Sequence, residues 1–250
     1  MKIIPAILLL TAILVVSFAP VKRTDPLTLY SQIDRTSAPN VLTKAEKDKG
    51  WNLLFDGKTT SGWHGYNLKS FPDCWTVEDG ILTTITKTGK ESQDITTDKI
   101  YRSFALSIDF KVAKASNSGI IYNVKEDPKY KYSYETGPEV QIMDLKPDQK
   151  AGLQSLGANY GMYVAKPFPV KQTGEWNNLM LIVDGDRITQ IMNGAIVVEF
   201  DRNTPEWKKL KDTGKWKDYP DYGKYTEGKI DLQNHGTPIW FRNIKLKELK

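Results

Sequence analysis

Of the 250 residues, one is cysteine and two are histidine. A lone thiol excludes an intramolecular disulfide, and no cysteine stands at the end of the N-terminal apolar segment to take a lipid. Cys74 lies in an apolar stretch beside Trp75, which points to a buried, inert thiol rather than a nucleophile. Two histidines leave little material for a metal centre. There is no basic stripe either. The formal charge of +5 is spread over basic residues scattered among acids, which argues against nucleic-acid binding. Even the densest basic stretch, EWKKLKDTGKWKDYPDYGK, has acids interleaved throughout and reads as a solvated loop. No internal repeat of fixed period is present, and strands do not alternate with helices as βαβ units would require.

The one long apolar run is at the start. Lys2 provides a positive n-region, Ile3 to Phe18 an apolar h-region, and Ser17-Phe18-Ala19 a small-residue cleavage site. Pro5 and the polar, proline-containing sequence after Ala19 argue against a stable membrane anchor. The expectation is a signal peptide over 1–19 and export to the periplasm or medium, with no membrane span after its removal. Losing Lys2 takes the charge from +5 to +4. Residues 20–40 are polar and aperiodic and are expected to form a linker or disordered arm. The remaining 41–250 suffice for one β-sandwich domain.

Thr43 and Glu46 have capping-box spacing, and Gly50 is placed as the stop of a short helix. From Trp51 the pattern is strand and turn. Phe104, Leu106, Ile108, Phe110 and Val112 alternate with Ala105, Ser107, Asp109 and Lys111, the period of a half-buried antiparallel strand. Asp184-Gly185 and Asn193-Gly194 suit tight hairpins. Thr204 and Pro205 open a second short helix to Leu210. Phe241 and Ile244 both look like core residues although strict alternation separates them, so a bulge near Arg242 and Asn243 is expected, re-aiming the arginine. The fold class is all-β: two antiparallel sheets in a sandwich, with one or two short helices.

Two strand-like stretches put polar residues where a core strand would be apolar. In GPEVQIMD, Val140 and Ile142 share one face while Glu139 and Gln141 share the other; in LQNHGTPIWFRN, Gln233 and His235 oppose Ile230 and Leu232. Such rows must face water or a polar ligand. The plain alternative is an ordinary solvated face, with His235 a turn histidine and Arg242 paired to a surface acid.

FDGKTTSGW, WTVEDGIL, NSGIIYNV, GPEVQIMD, KQTGEWN, MNGAIVVEF and GKIDLQNHGTPIWFRNIKLKEL occur in this order from Trp51 to Leu249. Together they resemble the 3-keto-disaccharide hydrolase family, many of whose members are described only as candidate glycosyl hydrolases. The resemblance implies a concanavalin-like jelly roll and an enzyme acting on 3-keto-glycosides. It places the polar cluster on Glu139, Gln141, Gln233, His235 and Arg242, with Asp144 closing the first motif. Asn234 stands where many relatives have aspartate, and AGLQSLGANYGMYVAKP replaces a more usual AGALYDLYAP-like string.

Ordinary glycosidases need two carboxyls about 5 to 9.5 Å apart. Glu139 and Asp144 do not fit, because five residues of extended strand span roughly 17 Å. A ketone on carbon 3 relaxes the demand, since it acidifies the proton on carbon 2. One base then starts elimination at carbon 1, and water adds to the enone. Glu139 or His235 is the expected base, and Arg242 would stabilise enolate charge. Gln141, Gln233 and Asp144 would bind substrate, with Trp63, Tyr122 and Tyr163 as candidate aromatic platforms. A divalent metal on Glu139 and His235 could polarise the ketone instead, although one histidine and one carboxylate are a weak metal signature. His64 reads as a surface or structural residue. The competing class is a non-catalytic carbohydrate-binding module or lectin, which needs hydroxyl partners and an aromatic platform but no buried acid or base.

Overall fold

The structure, a computed structural model, describes residues 23–85, 92–145 and 151–249. The segment 1–19, expected to be a signal peptide, lies outside these. The described elements, in chain order, are helices α1 (Pro26–Tyr30) and α2 (Lys44–Asp48), then strands β1 (Asn52–Leu53), β2 (Trp63–Gly65), β3 (Trp75–Glu78), β4 (Ile81–Thr84) and β5 (Ile95–Thr97). Next come β6 (Phe104–Val112), β7 (Asn117–Val124), a 3-10 turn at Ser133–Glu135, β8 (Glu139–Met143), β9 (Asn177–Asp184), β10 (Arg187–Met192) and β11 (Ala195–Asp201). Helix α3 (Pro205–Thr213), β12 (Lys229–Leu232) and β13 (Ile239–Glu248) complete the fold.

These strands form two antiparallel sheets. One has eight strands in the order β11-β10-β9-β6-β13-β4-β3, with β1 on β13; the other has five, β2-β5-β12-β7-β8. Phe104, Leu106, Ile108 and Phe110 of β6 pack between the sheets with Ile120 and Tyr122 of β7 and Val140 and Ile142 of β8, all fully buried. The alternation seen in the sequence is therefore the core face of the larger sheet. Burial of one such face on each sheet is what holds the sandwich together, each large apolar side chain contributing about 1.5 to 3 kcal/mol.

Local chemistry sets the ends of elements as expected. Asn193 and Gly194 adopt φ of 49° and 89° in the β10–β11 hairpin, the left-handed region in which asparagine and glycine are tolerated. Thr43 and Glu46 form the capping box of α2, and the Thr204 side chain accepts from Trp207 N at the start of α3. The bulge in β13 is present: its register shifts between Arg242 and Lys245, Asn243 takes φ of 52°, and Phe241 and Ile244 are both buried.

Among the described residues there are three short α-helices where one or two were expected, because residues 20–40 are not a free arm over their described part. From α1 onward this segment covers the outer face of the eight-stranded sheet, packing Leu29 and Ile33 with Trp51 against Ala105, Met180, Ile182 and Ile191. A buried ion pair, Lys245 Nζ to Glu46 Oε1 at 2.8 Å, lies beneath it. The opposite outer face, that of the five-stranded sheet, carries the polar rows.

Candidate active site

Three neighbouring strands make the floor. Because the core takes Val140 and Ile142 of β8, Glu139 and Gln141 emerge on the other side. On β7, Gly119 stands opposite Gln141 and Ile121 opposite Glu139. On β12, Asp231 stands opposite Ile121, and Gln233 N donates to Gly119 O at 3.0 Å. Glu139, Gln141, Gly119, Ile121, Asp231 and Gln233 therefore share one face, and β5 extends it with Thr96 opposite Asp231.

Above the floor is a cleft of about 870 Å3. Its polar side consists of Asn117, Glu139, Gln141, Gln233 and His235, with Asp144 at the edge. Its other side is aromatic and comes from Tyr134, Tyr160, Trp216 and Tyr219. Trp216 is buried, stacks on Tyr222 at 4.1 Å and 10°, and donates from Nε1 to Tyr160 O at 2.9 Å. Tyr134 meets Tyr219 edge-on at 6.3 Å. Lys215 extends over this wall, its Nζ donating to Tyr160 OH at 3.1 Å.

The electrostatics single out Glu139. Burial, reinforced by the nearby Asp94 carboxylate and opposed by the Lys215 ammonium, pushes its carboxyl up to about 8. Asp94, immediately before β5, accepts from Asn234 N at 2.9 Å and from Ser133 Oγ at 3.2 Å. Its residue keeps some surface, but its carboxyl is enclosed, which pushes it up to about 6 against the pull of those hydrogen bonds and of His235. Burial also holds the Asp231 carboxyl well above the usual range. Gln141 is oriented by its own donation, Nε2 to Asn117 Oδ1 at 2.6 Å.

Of the residues singled out in the sequence, Glu139, Gln141, Gln233, Asp144 and His235 meet in this cleft. His235 is exposed at its rim, on the turn after β12 that Asn234 closes by accepting from Gly236 N at 3.0 Å. Asp144 is tied up as a loop fastener, accepting from Ala115 N at 2.9 Å and Thr173 Oγ1 at 2.5 Å.

Four residues do not join them. Arg242 lies on β13, in the eight-stranded sheet, with its guanidinium 4.0 Å from the centroid of the Trp176 ring and Nε 3.6 Å from Asp109 Oδ2. The bulge re-aims the following residues but leaves this arginine on the far face. Tyr122 is fully buried, its hydroxyl accepting from Asn159 Nδ2 at 3.4 Å, because it shares core parity with Ile120. Trp63 is buried too, donating from Nε1 to Leu54 O at 2.7 Å. Tyr163 stacks on Phe200 at 4.6 Å outside the cleft lining. As expected, Cys74 is a buried free thiol, and His64 sits in a separate cluster, its Nδ1 2.6 Å from Asp98 Oδ1.

Sequence reasoning missed Asp94, Asn117, Lys215 and the wall of Tyr134, Trp216 and Tyr219. The stretch expected as a solvated loop supplies half of that wall. A signal was present, since a truly solvated loop does not carry Trp207, Trp216, Tyr219, Tyr222 and Tyr225 within so few residues. A metal on Glu139 and His235 does not fit the donor set: among the described residues no group of three or more histidine, cysteine, aspartate or glutamate side chains could hold an ion. No helix among them is long and apolar enough to cross a membrane.

An antiparallel sandwich with a sugar-sized cleft that joins a buried carboxyl, an imidazole and amides to an aromatic wall defines a glycoside-acting enzyme of the hydrolase class. Comparison with known proteins agrees. Residues 50–247 match the 3-keto-alpha-glucoside-1,2-lyase-like domain. The chain is 32% identical over 229 residues to a 3-keto-disaccharide hydrolase of Bacteroides thetaiotaomicron, covering 80% of this chain and 79% of that one. A crystal structure of a candidate glycosyl hydrolase from Parabacteroides distasonis superimposes with a TM-score of 0.78 at 39% identity, covering 85% of this chain and all of the other. A second from the same organism gives 0.59 at 28%, covering 80% and 99%. The chain belongs to the 3-keto-alpha-glucoside-1,2-lyase-like family.

Proposed function

We propose that this enzyme cleaves glycosides whose sugar carries a ketone on carbon 3. Glu139, ionised, removes the proton from carbon 2; the electron pair forms the carbon 1–carbon 2 double bond as the carbon 1–oxygen bond breaks. His235 at the rim protonates the departing oxygen. Water then adds at carbon 1 of the enone while carbon 2 regains a proton, so the net change is hydrolysis. Lys215 takes the charge-stabilising role expected of Arg242, since its side chain lines the same cleft and its ammonium acts electrostatically on the Glu139 carboxyl. Gln141, Gln233 and Asn117 hold sugar hydroxyls.

The single observation that carries this reading is Glu139: a buried carboxyl on a cleft floor, pushed up to about 8. A carboxylate that basic is matched to abstracting a carbon-bound proton near neutral pH, where a solvated glutamate would be too weak. A lectin-like site would have no use for it, although the aromatic wall alone would serve either function. The apolar N-terminal segment 1–19 supports export, which sequencing the N-terminus of the protein recovered from its host tests.

The decisive experiment compares a 3-keto-glucoside with its unoxidised parent. Release of the leaving group from the keto sugar alone, with a primary isotope effect on carbon-2 deuteration, is expected. Equal turnover of both compounds, or cleavage of the parent only, removes the elimination route; binding without turnover leaves the lectin reading.

A further inference from the structure

Asp94 is unassigned by the reaction above, yet its carboxyl bonds two segments that border the cleft. One carboxyl oxygen, Oδ1, accepts from Asn234 N at 2.9 Å, the residue immediately before His235. The other, Oδ2, accepts from Ser133 Oγ at 3.2 Å, the residue immediately before Tyr134. A single carboxylate thus ties the turn that presents the imidazole to the turn that presents one edge of the aromatic wall. Both ties come from short, irregular segments, which without such an anchor are the mobile parts of a fold.

Its charge reaches further. Asp94 lies on the same face of the sheet as Glu139 and repels negative charge there, while His235 attracts it. Asp231 on the neighbouring strand and Tyr134 on the turn above also face it. Burial pushes the Asp94 carboxyl up to about 6 against the hydrogen bonds from a backbone N–H and a hydroxyl, so near neutral pH it still carries negative charge beside the cleft floor.

We propose that Asp94 is a positioning residue of this site: its carboxylate holds the Asn234–His235 turn in place and sets the negative field under which Glu139 works. This rests on the reading that the cleft is catalytic, but its central consequence can be measured without turnover. Asp94→Asn separates the two parts, because an asparagine oxygen still accepts from Asn234 N while the charge is gone.

The test follows the Glu139 carboxyl by carbon-13 NMR, assigned with Glu139→Gln, in the wild-type protein and in Asp94→Asn. The titration midpoint of Glu139 is expected to fall in the variant, and the rising limb of the pH–rate profile to move down with it. kcat should drop about tenfold with KM little changed. Asp94→Ala, which also releases the turn, should be worse in kcat and broaden the His235 resonances. Coincident Glu139 titration curves for wild type and Asp94→Asn would overturn the inference. Should the protein turn over no 3-keto-glycoside, the functional reading fails, while the NMR titration still decides Asp94.

Discussion

Gly119 and Glu139 occupy one space: a Cβ built on Gly119 would lie 2.1 Å from Glu139 Oε1 and 2.7 Å from its carboxyl carbon. The strand β7 therefore carries a glycine at this point for close approach, not for an unusual backbone angle. The buried pose of the carboxyl depends on the missing side chain. Gly119→Ala has no φ penalty to meet, since this glycine is not in the left-handed region, so the methyl acts on Glu139 directly. Turnover of a 3-keto-glycoside is expected to fall about 100-fold or more as the base swings off its position. Circular dichroism should stay that of the wild type. An active Gly119→Ala enzyme would detach Glu139 from the chemistry.

Glu139→Gln removes the base and keeps the shape. It is expected to lower kcat by about 10² to 10⁴ while a 3-keto-glycoside still binds, as read by calorimetry.

The raised carboxyls make stability depend on pH with a definite sign. Glu139, at about 8, and Asp94, at about 6, bind protons more tightly folded than unfolded. Their contribution is therefore fully present at pH below the ordinary carboxylate range and is lost as pH rises through about 6 and then 8. Melting temperature should decline over that window in the wild type. Glu139→Gln should flatten the upper part of the decline, which a fluorimetric melt across a buffer series measures.

The buried pair of Lys245 and Glu46, at 2.8 Å with both side chains almost wholly enclosed, predicts a different kind of defect. Glu46 Oε1 also accepts from Asp34 N at 3.0 Å, and its Oε2 from Thr43 N at 2.8 Å. Lys245→Met strands a buried carboxylate and is expected to cost about 3 to 5 kcal/mol in urea denaturation. Activity below the melting transition should be unaffected, because the pair lies under the N-terminal segment on the far face.

Arg242→Ala is expected to leave kcat within about twofold of wild type. Its loss of stability should be about 1 to 2 kcal/mol, from the Trp176 contact and the Asp109 pair. A large loss of turnover would mean that the guanidinium acts in the cleft after all.

Arg242 shows where sequence reading stopped. Strand alternation gave β6 to the residue, and the parity of Glu139 and Gln141 against Val140 and Ile142 placed both on the cleft face. The parity conflict between Phe241 and Ile244 revealed the bulge. Parity says which face of its own sheet a residue takes, but not which sheet the strand joins. β12 and β13 are separated by only six residues and lie in different sheets, so His235 and Arg242, neighbours in one motif, end on opposite sides of the molecule. Tyr122 failed for a simpler reason: its even spacing from Ile120 already put it in the core.

The sequence alone determined the alternation of side chains, the turns and caps, and the order of motifs that marks the family, because each of these is set by residues close together in the chain. Only the tertiary structure decided that Asp94, Ser133 and Asn234 adjoin, that the lysine-rich stretch puts Trp216 and Tyr219 into the wall, and that Lys215 rather than Arg242 shares the cleft with Glu139. Those relationships are made by the packing of two sheets and by the loops that close over one of them, and depend on burial and field at a point in space to which distant segments contribute.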